Sequence, residues 1–334
     1  MIRFLQLVRI NNLAIIVLTM YAMRIFFIQF LLEDTGNFAI PNEQFDFFLL
    51  VFSLVLIAAA GNIINDYFDV KADRINKPDR LIITKYIKRR WAIVIHWGFN
   101  FIAFTIACYL SWEHQTFMYV FIHLVYINLL WVYSTSLKRK FFIGNLTIAA
   151  LTGFIPVFVS LYFLNVFHFG YTDKSWYDVI ANAISDYLSF NPSEEQLGKL
   201  ILNFGLGMGL FAFLSNLARE IVKDMEDVQG DLLLKARTLP IVWGYEKTKW
   251  IVISILGATI FIFLYFIFSP DWLPRVDKWL IFAPITVALF AQLIAGALLF
   301  TSSPKKYKWV NVLLKASMFF GLSTPIYIVI LHAL

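Results

Sequence analysis

Nine times along this chain, about 20 consecutive residues are almost wholly apolar. The runs lie near residues 12–32, 44–65, 91–111, 117–136, 142–167, 201–219, 249–269, 279–301 and 309–332. About 20 residues of helix cross the roughly 30 Å hydrocarbon core of a bilayer. Lipid offers the backbone no hydrogen-bond partner, so a spanning run of this length satisfies its peptide groups by becoming a helix. Composition agrees: only 15% of the 334 residues are charged and 60% are hydrophobic, against about 25% charged in an average soluble domain. The sequence therefore predicts an all-α integral membrane protein of nine transmembrane helices. No long linker or low-complexity stretch divides it, so residues 1–334 read as a single polytopic domain. The first run is too long for a cleaved leader and lacks its small-residue cleavage site, so it reads as an uncleaved span. Arg24, inside that run, is a charge expected to face the bundle interior or snorkel.

The connections alternate in charge. Glu33, Asp34, Glu43 and Asp46 make the first one acidic; Lys71, Arg74, Lys77, Arg80, Lys85, Lys88, Arg89 and Arg90 make the second basic. The fourth (Lys138, Arg139, Lys140), the sixth (Lys223, Lys235, Arg237, Lys247, Lys249) and the eighth (Lys305, Lys306, Lys308) are basic too, and the fifth, about 168–200, is mostly acidic. Basic loops stay on the cytoplasmic side. The N-terminus and the even-numbered loops are thus expected in the cytoplasm and the C-terminus outside, in a multi-pass protein of the cell membrane. This explains much of the +6 net charge. The cations sit at span ends rather than on one soluble face, which argues against nucleic acid as a partner. Cys108 is the lone cysteine, so no intrachain disulfide can form. The five histidines are scattered and make no close metal-ligand pair.

The second run ends in "GNIINDYFDVKADRINKPDR", with Asp66, Asp69 and Asp73 spaced three and four apart. The sixth run ends in "SNLAREIVKDMEDVQGDLLLKAR", where Asp224, Asp227 and Asp231 repeat that spacing. Asn62 precedes the first set by four residues and Glu220 the second; Lys77 and Lys235 follow by four, and Arg80 and Arg237 soon after. One copy follows the second span and the other the sixth, which predicts two four-helix repeats plus a ninth helix. On a helix, positions i, i+3 and i+7 share a face. Three carboxylates there repel one another unless positive charge lies between them. A solvated helix end tolerates scattered acids, but it does not explain two matching copies on one side of the membrane.

Oxygen ligands without His or Cys suit a hard cation such as Mg²⁺. The six aspartates read as its ligands and as the catalytic carboxylates, with Glu220 as a further acid. Bound Mg²⁺ would in turn hold a diphosphate, whose outer oxygens Lys77, Arg80, Lys235 and Arg237 would neutralise. A diphosphate met by an enzyme embedded in lipid is a polyprenyl diphosphate. Its allylic C–O bond breaks when cations stabilise the leaving group, and a greasy slot suits its tail at about 0.8 kcal/mol per buried methylene.

"NDYFDVKAD" resembles the first aspartate-rich motif of the UbiA-type intramembrane prenyltransferases, and "KDMEDVQGD" resembles the second. The likeness extends over essentially the whole chain. It implies a bundle of nine spans around a central cavity, with Mg²⁺ and diphosphate at the cytoplasmic mouth. "LVRINN" resembles the family's first-helix signature, which makes Arg9 a diphosphate contact and Asn11 a support; Ile10 stands where the family usually has proline. "WVYSTSLKRKFFIGN" resembles its Tyr-Ser…Lys segment and brings Tyr133, Ser134 and Lys138 to the mouth, with Arg139 a weaker candidate. Asn65 belongs to the first motif and Asn62, one turn earlier, is expected to face the same site. Asp79 and Glu226 fall off that face.

Within the family, "REIVKDMEDVQGD…ARTLPIVWG" looks most like the branch that prenylates a prenyl-glycerol phosphate. Quinone-precursor and homogentisate enzymes, which prenylate an aromatic ring, have similar second motifs. Partners implied are thus a polyprenyl diphosphate, geranylgeranyl in that branch, a lipophilic acceptor and membrane lipids. Nothing in the sequence requires a protein partner. A transporter with acidic gates is the reading from another class, but its charges would lie mid-membrane rather than at span ends. If the carboxylates form a cradle, Asp66→Ala, Asp69→Ala or Asp227→Ala should each abolish turnover while the protein still inserts and purifies normally. Near-normal turnover in all three variants would remove the cradle.

Overall fold

The computed structural model describes residues 2–28, 43–76, 78, 81–167, 195–268, 278–300 and 304–332. The described residues are helical, apart from turns and one isolated bridge between Ile83 and Ile87. In chain order the helices are α1 (Ile2–Leu7), α2 (Ile10–Phe26), α3 (Glu43–Asn76), α4 (Arg89–Glu113), α5 (Met118–Thr135) and α6 (Ile143–Phe167). They continue as α7 (Glu195–Leu233), α8 (Leu239–Phe268), α9 (Lys278–Phe300), α10 (Pro304–Leu322) and α11 (Thr324–His332). A short 3₁₀ turn, Leu137–Arg139, lies between α5 and α6.

Among the described residues the predicted apolar runs fall on helices, the last of them, 309–332, on two. Among the described residues, seven helices, α3 to α9, are long and apolar enough to cross a bilayer. The α10–α11 pair, bent by 40°, makes an eighth if it is one span, and α2 is apolar but has only 17 residues. Two of the helices are far longer than a membrane needs. The 34 residues of α3 extend about 51 Å, and the 39 residues of α7 about 58 Å, at 1.5 Å per residue. A 30 Å core accounts for little more than half of either. Both excess stretches are the polar C-terminal turns that carry the aspartates.

By compactness the chain divides into two units. The first comprises Met1–Leu18, Ile40–Thr147 and Asp227–Val242; the second comprises Thr19–Ala39, Ile148–Glu226 and Trp243–Leu334. In the first unit α3, α4 and α5 pack on one another. Leu7, Val8 and Leu13 join Ala59, Ile63 and Val70 of α3, Ile82 and Ile83 beyond it, and Ala92 of α4 in one buried cluster. That cluster seats the N-terminal helices against the first motif. Two buried polar pairs in this unit show how burial in a span is offset by hydrogen bonding: Ser53 Oγ lies 2.8 Å from His123 Nε2, and His96 Nδ1 lies 3.0 Å from the Ala60 carbonyl.

In the second unit α6 and α7 approach through glycine. A Cβ on Gly209 would stand 2.6 Å from the Gly153 carbonyl oxygen, and one on Gly205 would overlap Ser160. Ser160 Oγ donates across the same seam to the Ile201 carbonyl, at 2.9 Å. Small residues four apart let two helices touch along their backbones, which is how packing substitutes for hydrophobic drive in lipid. Within α8, Gly244 takes φ 78° and bends the helix near its start.

A side chain at Gly209 meets backbone, which cannot rotate away. Gly209→Val should therefore lower the thermal unfolding midpoint in detergent, at about 1–3 kcal/mol for an overpacked contact. Gly257→Ala, where an added Cβ meets nothing within 4 Å, should hold or raise the midpoint, since alanine is the better helix former by about 1 kcal/mol.

Candidate active site

The first motif occupies one face of the projecting end of α3. Asn62, Asp66, Asp69, Asp73 and Asn76 follow one another at helical intervals of three and four. Two cations from distant parts of the first unit reach this face. Arg9 Nη2 donates to Asp66 Oδ1 at 2.7 Å. Lys138 Nζ donates to Asp69 Oδ2 in a short ion pair and to Asn65 Oδ1 at 3.3 Å. Asn65 Nδ2 completes the group with a 2.9 Å bond to Asp69 Oδ2. Cations thus separate carboxylates that helix spacing alone would leave repelling.

The backbone is arranged to deliver these cations. Arg9 stands at the break between α1 and α2 with φ 56°, a left-handed conformation costing about 1–2 kcal/mol outside glycine. The Asp66 ion pair offsets that cost, and Asn62 Nδ2 pins the break by donating to the Val8 carbonyl at 2.9 Å. Asn62, expected to meet the diphosphate, is engaged in holding the Arg9 turn. Asn11 beside it is exposed. Lys138 sits on the 3₁₀ turn after α5. Burial opposes its charge, but the Asp69 carboxylate, the Tyr133 phenol and the bond to Asp69 together hold the ammonium above the ordinary lysine range. Tyr133 is buried there, and Ser134 Oγ donates back to the Leu130 carbonyl at 2.9 Å.

The second motif closes α7. Asp227 and Asp231 belong to the first unit, with Asp231 buried and Asp227 half-buried. The helix ends at Leu233; Lys235, two residues on, is in left-handed conformation at φ 53°, and the Ala236 N–H donates to the Asp231 carbonyl at 3.0 Å. The side chains of Lys235 and Arg237 are exposed. The Arg237 N–H donates to the Arg139 carbonyl at 2.8 Å, so the loop after the second motif is tied to the turn bearing Lys138. Asp224 and Glu220 lie earlier on α7, in the second unit. There Glu220 is buried and accepts from Arg219 and from Lys223, the latter at 3.1 Å. Arg219 Nε also donates to Asn216 Oδ1, and Asn216 Nδ2 donates to Thr152 Oγ1 at 2.9 Å. Exposed Glu226 points off the motif face, as expected. Lys77, Arg80 and Asp79 lie outside the described residues, as does most of the fifth loop.

Sequence reading missed Asn76, Gly230 and Arg219. The signal for Asn76 was present, since it continues the aspartate face three residues beyond Asp73. Its carboxamide donates to the Asp227 carbonyl and accepts from the Gly230 N–H, both at 2.9 Å.

The model of the UbiA prenyltransferase family matches residues 21–322. The chain belongs to that family. It is a multi-pass membrane protein. Among curated relatives, the digeranylgeranylglyceryl phosphate synthase of Thermococcus sibiricus is 35% identical over 215 residues, covering 64% of this chain. The chain spans 62% of the length of that relative. The synthase of the same name from Methanobrevibacter smithii is 28% identical over 278 residues, covering 81% of this chain and 82% of its own. A solved structure concerned with digeranylgeranylglyceryl phosphate synthase in membranes superposes with a TM-score of 0.59 at 24% identity, covering 98% of both chains. A UbiA homolog from Aeropyrum pernix K1 gives a TM-score of 0.57 at 14% identity, covering 95% of this chain and 98% of that one. Both likenesses establish the UbiA fold.

The donor chemistry of Asp66 and Asp69, oxygen only, is that of a hard divalent cation. Asp66 and Asp69 each use one oxygen on a cation, and their Oδ2 and Oδ1 respectively carry no hydrogen bond among the described residues. Such an open oxygen is what a metal requires of a carboxylate. No group of three or more acids, His or Cys converges among the described residues. The acids are spread one per helical turn.

A lysine whose folded pKa is raised contributes stability in full below its unfolded pKa of about 10.4 and loses it as pH rises through the folded value. The Lys138–Asp69 pair should thus contribute a constant stability from pH 7 to about pH 10. Lys138→Met should lower stability by about 2 kcal/mol across that window, less than the 3–5 kcal/mol for orphaning a fully buried charge, because Lys138 keeps 24% exposure. Thermal unfolding in detergent at several pH values checks this.

Proposed function

We propose that this protein transfers a polyprenyl group, geranylgeranyl, from its diphosphate to the free hydroxyl of a prenyl-glycerol phosphate, forming a second ether. The observation that carries the reading is the interleaving of Arg9 and Lys138 with Asp66 and Asp69 at the projecting end of a membrane helix. Such a site holds both signs of charge, as a metal-bound diphosphate requires, next to apolar spans. The curated relatives named as digeranylgeranylglyceryl phosphate synthases support the choice of acceptor.

Asp66, Asp69, Asp73, Asp224, Asp227 and Asp231 would hold Mg²⁺, with Glu220 as a supporting acid. When bound, Mg²⁺ supplies charge that stabilises the departing diphosphate. The remaining work falls to the chain. Arg9, Lys138 and the cations Lys77, Arg80, Lys235 and Arg237 bind the phosphate oxygens and orient the allylic C1–O bond. Asn65 fixes Lys138 and Asp69 relative to one another, and Tyr133 and Ser134 line the same mouth. The apolar spans bury the prenyl tail and keep water from the developing allyl cation. As the C1–O bond breaks, the electron pair leaves with the diphosphate. The glycerol oxygen bonds to C1 and its proton passes to a carboxylate, Asp73 or Asp231.

The same reading places nine spans in the cell membrane as two four-helix repeats and a ninth helix in a single domain. The N-terminus and both motifs face the cytoplasm and the C-terminus lies outside. It requires no protein partner.

The test is product identity. Purified protein in nanodiscs receives Mg²⁺ and geranylgeranyl diphosphate, with geranylgeranylglyceryl phosphate in one tube and aromatic acceptors in others. Mass spectrometry should find a doubly prenylated glycerol phosphate that disappears on chelation. A prenylated ring would replace the acceptor, and an intact diphosphate in every tube would overturn the enzyme.

A further inference from the structure

The last residue of α3, Asn76, has both arms of its carboxamide on the backbone of the second motif. Nδ2 donates to the Asp227 carbonyl and Oδ1 accepts from the Gly230 N–H, each at 2.9 Å. All three residues belong to the first unit. A bidentate amide of this kind fixes position and rotation together, because both bonds are satisfied in one orientation only. The approach is close enough to select the residue it touches. A Cβ on Gly230 would lie 2.3 Å from Asn76 Nδ2 and 2.7 Å from its Cγ. Gly230 lies in the last turn of α7, still helical, where glycine is a poorer helix former than alanine. Its backbone is ordinary there, so room for Asn76 is the reason for it.

We infer that Asn76 and Gly230 form a clasp that sets the position of Asp227 and Asp231 against the first aspartate motif. Asn76 is a positioning residue: it touches backbone on the second motif while Asp227 and Asp231 flank the point it grips. The clasp continues the face of Asp66, Asp69 and Asp73, so the helix that presents the first set of carboxylates also registers the second. This inference deepens the proposed function and rests on it for the ligand, a divalent cation with a diphosphate.

The test compares Asn76→Ala, Gly230→Ala and the double variant, each as the full chain in nanodiscs. Calorimetry measures binding of Mn²⁺ with inorganic pyrophosphate, and hydrogen exchange follows the 227–233 segment. Each single variant should weaken binding by about tenfold or more, the usual effect of losing a group that orients metal ligands. The double variant should bind no more weakly than Asn76→Ala alone, because truncating Asn76 removes the clash that Gly230→Ala creates. Asn76→Ala should also speed exchange at the Gly230 amide while the unfolding midpoint holds. Effects that simply multiply in the double variant, or binding unchanged while the midpoint falls, would overturn the clasp. Absence of Mn²⁺–pyrophosphate binding in the wild type would instead overturn the prenyl-diphosphate reading; exchange at Gly230 would still decide the clasp.

Discussion

A backbone in lipid has only its own chain to bond to, and that constraint organises this molecule. It forces helices, and a helix that has begun in the membrane need not stop at its surface. Helices α3 and α7 run on for several turns beyond what a bilayer spans, as rigid rods with a fixed side-chain period. The period then places Asn62, Asp66, Asp69, Asp73 and Asn76 on one line. The chemistry of the site follows from a structural demand of the membrane.

The carboxylates on that line would be unstable alone. Asp69 keeps 8% of its side-chain exposure, and withdrawing a carboxylate from water costs several kcal/mol unless it is paired and hydrogen-bonded. Lys138 and Asn65 meet that demand at Asp69, and Arg9 meets it at Asp66. The pairing brings Asp66 and Asp69 near charge balance, with one oxygen of each of these two acids carrying no hydrogen bond among the described residues. Arrangement in advance of the ligand is what electrostatic stabilisation of a leaving group requires.

Side-chain and main-chain bonds to backbone groups set the positions of segments in the first unit, alongside charge. Asn62 grips the Val8 carbonyl, Asn76 grips Asp227 and Gly230, and the Arg237 amide meets the Arg139 carbonyl. Each bond joins segments far apart in sequence. The cations are therefore delivered by loops whose own backbone is fixed, Arg9 at a left-handed break and Lys138 on a 3₁₀ turn.

The sequence by itself determined where the helices run, because twenty apolar residues in lipid have one solution. It also determined the twin aspartate sets, because helical period converts spacing into a shared face. Arg9 and Lys138 were legible through resemblance to a family motif, and Glu226 through its place off the face. Only tertiary structure decided who pairs with whom. Arg9 meets Asp66 across 57 residues and Lys138 meets Asp69 across 69, distances at which packing and not local spacing sets the encounter. It also turned Asn62 to the backbone of Val8 and made Gly230 the seat of Asn76. A side chain's type is written in the sequence; its partner is fixed by what the rest of the fold brings within 3 Å.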